Sequence, residues 1–205
     1  MNSPVQHLID YPLEADISKA GAFSFNGEHY QLNVHGDYQI HNASLALLAS
    51  EALNQHTEFD IPFSAMREGL KHMAIPGRFE IIDNVILDGA HNPEGIQEGV
   101  KALNTYAQGA PITVLFTVMN DKDHETMQAS LEGIAETIIY TELPMERSEL
   151  AHVLLSKSIH SNAHAYKSYE VALEEAKKIS VDGVLYVCGS LYFISAIRKR
   201  LVDAN

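Results

Sequence analysis

From Arg78 onward the sequence alternates apolar strands with amphipathic helices, and few architectures accommodate that rhythm. Phe79-Glu80-Ile81-Ile82 and Val85-Ile86-Leu87 flank the two-residue turn Asp83-Asn84 and predict a hairpin. A helix with Ile96, Val100 and Leu103 on one face follows. Ile112 to Val118 is almost continuously apolar, as a strand covered on both faces must be. Helices carrying first Met127, Leu131 and Ile134, then Leu150 and Leu154, enclose the strand Thr137-Ile138-Ile139-Tyr140. A helix with Ala172, Ala176 and Ile179 leads to the strand Val184-Leu185-Tyr186-Val187, and the last helix carries Ile194, Ile197 and Leu201. Strands separated by helices pair through crossovers, so the expected fold class is α/β: a Rossmann-like, mostly parallel sheet with flanking helices.

Ahead of that rhythm the pattern differs. Residues 1 to about 40 read as short strands with turns. Ala22-Phe23-Ser24-Phe25 runs into Asn26-Gly27, a hairpin signal, and Tyr30-Gln31-Leu32-Asn33-Val34 alternates apolar and polar until Gly36. Asn42 to Leu53 predicts a helix on the spacing of Leu45, Leu48 and Ala52, and a short helix runs from about Ser64 to His72. Ile75-Pro76-Gly77 ends it and marks the expected boundary between two domains, 1–75 and 76–205.

Composition excludes several classes of partner. Hydrophobic residues make up 46% and charged residues 20%, enough apolar material for a packed core. No apolar run approaches the roughly 18 residues of a membrane span, and Met1 to Asp10 lacks the regions of a signal peptide. Cys188 has no partner for a disulfide within the chain. These features point to the cytoplasm and to no membrane partner. Lys and Arg number 14 against 27 Asp and Glu, and both halves are acidic, so no nucleic-acid partner is expected. A polyanionic ligand would have to be met by a few local donors.

Ligands of open α/β sheets bind beyond the carboxyl ends of the strands, and two loops have that position. In Asp88-Gly89-Ala90-His91-Asn92-Pro93, Asn92 suits an N-cap and Pro93 the first helical position, so the next helix begins with polarised N–H groups behind Asp88 and His91. An anion would meet N–H groups and an imidazole there; Asp88 and His91 would equally serve as turn and capping residues. In Cys188-Gly189-Ser190, glycine allows close backbone approach, and Ser190 either caps the last helix or contacts a ligand. Arg78 has the fork to hold phosphate, or pairs structurally with an acid such as Glu80. Asp121-Lys122-Asp123, at a third carboxyl edge, is either a ligand loop or a solvated helix start capped by Asp123, and two carboxylates alone are a weak metal signal. His160 and His164 read as surface residues of a loop, and Cys188 as inert core. No G-x-x-x-x-G-K-[ST] occurs in the 205 residues.

Taken in order, His41-Asn42-Ala43-Ser44-Leu45-Ala46, Pro76-Gly77-Arg78-Phe79-Glu80, Asp88-Gly89-Ala90-His91-Asn92-Pro93 and Gly189-Ser190-Leu191-Tyr192 resemble the Mur ligase superfamily. Gly89 and the Gly-Ser-Leu-Tyr run are similar to its folylpolyglutamate synthase/dihydrofolate synthase branch; peptidoglycan-building members more often carry tyrosine in place of Gly89. The resemblance implies that residues 1–75 are the tail of an ATPase domain whose P-loop and magnesium ligands lie outside this sequence. It implies that residues 76–205 are a Rossmann-like glutamate-ligase domain. The implied reaction uses ATP and Mg2+ to join L-glutamate to a folate or dihydropteroate substrate through an acyl phosphate. By motif, Asn42, Arg78 and Asp88 would contact ATP, while His91, Asn92 and Ser190 would bind substrate, with His91 catalytic and no metal ligand in this chain. The other expectations are a peptidoglycan-precursor ligase fragment and a stand-alone nucleotide- or amino-acid-binding module.

Overall fold

A computed structural model describes residues 21–33, 36–56 and 58–203. The expected strands before Gly21 and the end of the run at Val34 lie outside them. The chain divides into two compact units, residues 1–74 and 75–205.

In the first unit, β1 (Ala22–Phe25) and β2 (Glu28–Gln31) form an antiparallel hairpin. Asn26 and Gly27 both take positive φ, 49° and 79°, as a two-residue turn with the twist of the strands requires. Phe23, Phe25, Tyr30 and Leu32 pack against Ile40, Ala43 and Leu47 of α1 (Asp37–His56) and Met66 and Leu70 of α2 (Phe63–Lys71). Helix α1 starts five residues earlier than its apolar spacing predicts. That spacing misleads because apolar residues sit all round the helix: Leu45 and Leu53 are 53% and 40% exposed.

The second unit is a six-stranded sheet between two helical layers. Its strands are β3 (Glu80–Ile82), β4 (Val85–Asp88), β5 (Ile112–Phe116), β6 (Thr137–Glu142), β7 (Ala163–Ser168) and β8 (Val184–Cys188), in the order β3-β4-β8-β5-β6-β7. Only the β3–β4 hairpin is antiparallel; every other pair is parallel. Helices α3 (Pro93–Ala107), α4 (His124–Glu132) and α5 (Ala151–Lys157) bury Ile96, Leu103, Met127, Leu131 and Leu154 against one face. Helices α6 (Tyr169–Ile179) and α7 (Leu191–Asp203) bury Leu173, Phe193 and Ile197 against the other. The chain steps one way across the sheet from β4 to β7, then returns to insert β8 between β4 and β5. Right-handed crossovers in opposite directions place their helices on opposite faces, which is why α6 lies apart from α3 to α5.

β7 corrects the loop reading at Ala163 and His164, while residues 160–162 form the turn before it. His164 lies in this edge strand and His160 just before it. Their polar, half-exposed alternation lacks the apolar run by which the inner strands are recognised. Both histidines are tied locally, His160 Nε2 to the Ala135 carbonyl at 3.0 Å and His164 Nε2 to Asn162 Oδ1 at 3.1 Å.

Candidate functional site

Returning β8 beside β4 brings the two sequence-predicted loops together. Asp88 is in register with Cys188, and Phe116 of β5 with Cys188 from the other side, so loops 89–92, 189–190 and 117–123 open along one sheet edge. Backbone bonds fasten them: Gly189 N–H donates to the Ala90 carbonyl at 2.8 Å, and Thr117 N–H to the Cys188 carbonyl at 3.4 Å.

Asp88 is 2% exposed. Its Oδ1 accepts from the Ala90 N–H at 3.2 Å and its Oδ2 from the Tyr186 hydroxyl at 2.8 Å. Burial raises its carboxyl above the ordinary value, against the opposing pull of the Tyr186 hydroxyl, the Ala90 amide and the Arg78 charge. The folded protein thus binds this proton more tightly than the unfolded chain. Stability falls as pH rises between the ordinary value and the raised one, so the ionised group is a cost at neutral pH. A buried carboxyl with that cost at a ligand edge is a mark of a functional site.

His91 is half-buried at the mouth. Its Nδ1 lies 2.9 Å from the Gly89 carbonyl. A carbonyl only accepts, so Nδ1 carries the proton and Nε2 of the neutral ring presents a lone pair. Nε2 has no hydrogen-bond partner among the described residues. Asn92 caps α3, its Oδ1 accepting from Gly95 N–H at 2.9 Å, with Pro93 in the first turn. Such a cap contributes about 1 kcal/mol. Ser190 departs from the capping expectation. Its carbonyl accepts from Ile194 N–H, but its hydroxyl has no hydrogen bond among the described residues.

The structural alternative for Arg78 is also corrected. Glu80 is taken by Arg198 of α7, whose Nε donates to both carboxylate oxygens at 3.0 and 2.9 Å, and by the Gly77 N–H at 2.8 Å. Arg78, half-buried, has no ion pair or side-chain hydrogen bond among the described residues. Arg78 directly follows Gly77, whose carbonyl accepts the Gly89 N–H at 2.6 Å. Asn42 belongs to the first unit, exposed on α1, with its amide donating to Gln39 Oε1 at 3.3 Å.

The remaining candidates resolve as structure. Asp123 caps α4 through Thr126 N–H, and Asp121 pairs with Lys122 and Arg147 at 3.2 and 3.3 Å. Among the described residues no group of three or more His, Cys, Asp or Glu comes together. Cys188 is fully buried, and burial pushes its thiol well up, which keeps it protonated and inert. A groove of about 610 Å3 between α6 and α7, lined by Tyr169, Lys177 and Lys199 among others, shares no residue with the three loops. No helix among the described residues is long and apolar enough to cross a membrane. Tyr186 and Arg198 were missed by the sequence reading. One signal was present: a lone phenol in an otherwise apolar, doubly covered strand must find a partner for its hydroxyl.

A mostly parallel α/β sheet whose polar loops converge at a strand-order reversal defines the Rossmann-like class. Residues 77–191 match the model of the Mur ligase, glutamate ligase domain, and the chain belongs to that family. It is 37% identical over 179 residues to the dihydrofolate synthase/folylpolyglutamate synthase of Bacillus subtilis, covering 85% of this chain and 41% of that protein. It is also similar to the folylpolyglutamate synthase of Thermotoga maritima, with a TM-score of 0.75 at 28% identity over 94% of this chain and 46% of that one. The folylpolyglutamate synthase of Mycobacterium tuberculosis, solved with ADP, gives a TM-score of 0.75 at 25% identity over 84% and 42% of the two chains. The chain thus spans less than half the length of these relatives.

Proposed function

We propose that this chain is the carboxyl-terminal part of an ATP-dependent ligase that joins L-glutamate to a folate or dihydropteroate substrate. The observation that carries the reading is the shared mouth. His91 Nε2, the Ser190 hydroxyl and the N-terminus of α7 stand on adjacent loops without hydrogen-bond partners among the described residues, in a domain of the glutamate-ligase family. A carboxylate is a poor electrophile; ATP supplies the phosphoryl group that activates it as an acyl phosphate. The chain's residues orient the second reactant. Ser190 and the first N–H groups of α7 suit a glutamate carboxylate. His91 Nε2 suits an N–H of the attacking amine, holding it for attack and accepting its proton. Arg78, with no ion pair or side-chain hydrogen bond among the described residues, suits phosphate, and Asp88 and Asn42 lie in the motifs that would complete the nucleotide site. The triphosphate cradle and the magnesium ligands would belong to residues outside these 205, with residues 1–75 as the tail of that ATPase domain. The exposed apolar side chains of α1, Leu45 and Leu53, support this, because such a helix normally has further protein against it.

The reading is tested with the complete enzyme by comparing glutamate addition to tetrahydrofolate with ligation to a nucleotide-linked muramyl acceptor. Turnover on the folate alone is expected. Turnover on the muramyl acceptor alone would make it a peptidoglycan-precursor ligase, and ligation by the isolated 205 residues would refute its being a fragment. In the same complete enzyme, Arg78→Ala is expected to raise the ATP concentration at half-saturation about tenfold or more while leaving that for glutamate in place. Unchanged ATP saturation would make Arg78 a structural residue.

A further inference from the structure

The Asp88 loop is held from beneath by a group to which the ligase chemistry gives no part. Alternation along β4 and β8 puts Asp88, Tyr186 and Cys188 on the sheet face that carries α3. Tyr186 is fully buried there, its ring 6.4 Å from that of Phe79, and its hydroxyl reaches diagonally to Asp88 Oδ2 at 2.8 Å. Room for that bond comes from α3. A Cβ at Gly99 would collide with the Tyr186 hydroxyl and stand 2.8 Å from Asp88 Oδ2. From Asp88 the connections run on to the mouth. Oδ1 fixes the Ala90 N–H, the Ala90 carbonyl fixes Gly189, and the His91 ring closes back on the Gly89 carbonyl.

Filling the core does not require this arrangement. Phenylalanine would occupy the same layer without a hydroxyl to desolvate, and alanine in place of Gly99 would favour the helix. Both unfavourable choices serve one hydrogen bond, and that bond ends on the carboxylate that organises the mouth.

We propose that Tyr186 is a positioning residue: its hydroxyl fixes the Asp88 carboxylate and, through the Ala90 amide, sets the His91 ring at the mouth. Gly99 makes room for it. What the mouth binds rests on the ligase reading; the positioning does not.

The test is a pH titration of the 205-residue chain followed by NMR at the Ala90 amide and the His91 ring, for the wild type and for Tyr186→Phe. Arg78 is the charge acting on Asp88, and it is present in both. In the wild type the Ala90 amide is expected to follow a carboxyl titrating above its ordinary range. In Tyr186→Phe that midpoint rises further, by about one pH unit, because a donor to the ionised form is lost. The His91 resonances move with it, while those of Leu131 and Leu154 stay in place. Gly99→Ala, which keeps the hydroxyl but denies it room, is expected to move the same resonances, and it decides the matter if the phenylalanine variant does not fold. An unchanged midpoint, or His91 resonances that do not move, overturns the proposal. These titrations use neither ATP nor glutamate, so turnover of the complete wild-type enzyme judges the ligase reading separately.

Discussion

In the complete ligase, His91→Ala is expected to lower kcat/KM for glutamate about a hundredfold while ATP saturation moves less than about threefold. The asymmetry follows from where the ring sits. Its Nδ1 is committed to the Gly89 carbonyl at 2.9 Å, which fixes the tautomer and leaves Nε2 as the only nitrogen able to accept a proton from an incoming amine. Alanine removes that acceptor and the orientation it gives. It leaves Arg78, with its Gly77 anchor, as it was, because the anchor runs from Gly89 N–H to the Gly77 carbonyl and from Gly77 N–H to Glu80 without using the His91 side chain. Steady-state kinetics with each substrate varied in turn measures the split. Wild-type glutamate kinetics would remove His91 from the reaction, and equal losses toward both substrates would mean that the loop had collapsed as a whole.

How much of this was legible in the sequence depends on the range of the interaction involved. Buried strands and helix faces are written in local periodicity, so the sheet, the β3–β4 turn at Asp83 and the Asn92 cap were readable from a few neighbouring residues. β7 was not, because an edge strand half open to solvent has no obligatory apolar face. The start of α1 was obscured for the opposite reason, with apolar residues on every side. At the site, the two loops could be found from strand–turn–helix chemistry, but their adjacency could not. It depends on β8 returning between β4 and β5, a choice made 70 residues or more further along the chain. The Glu80–Arg198 and Asp88–Tyr186 bonds span sequence separations of 118 and 98 residues, so no local pattern announces them. That Arg78 makes no ion pair with Glu80 follows from the first of these. A neighbouring arginine is the obvious partner for Glu80 until the fold delivers a distant one with better geometry.

Gly189→Ala is expected to be the most damaging single-methyl change in the second unit. Gly189 has φ +103°, a backbone conformation open to glycine and strained for any L side chain, because it ends β8 and turns the chain sharply into α7. A Cβ there would also run into the Thr117 carbonyl and approach the Phe116 ring at 2.6 Å, neither of which can move freely. The Thr117 carbonyl belongs to rigid backbone just beyond β5, and Phe116 is fully buried and stacked edge-on to Tyr140. Backbone strain and overpacking therefore add, for a loss of roughly 3 kcal/mol or more. Thermal unfolding should show a midpoint lowered by about 10 °C. The comparison is Gly133→Ala at the end of α4, where φ is −67° and a Cβ would meet only ordinary contacts at 3.6 Å. That variant should be neutral or slightly stabilising. Equal midpoints for the two would mean that β8 and β5 can part without cost. The Gly189 N–H also holds the Ala90 carbonyl, so a displaced Gly189 pulls on the loop that carries His91. Any folded fraction of this variant in the complete enzyme should therefore lose glutamate use before ATP use, linking the tightest backbone contact of the sheet edge to the chemistry at its mouth.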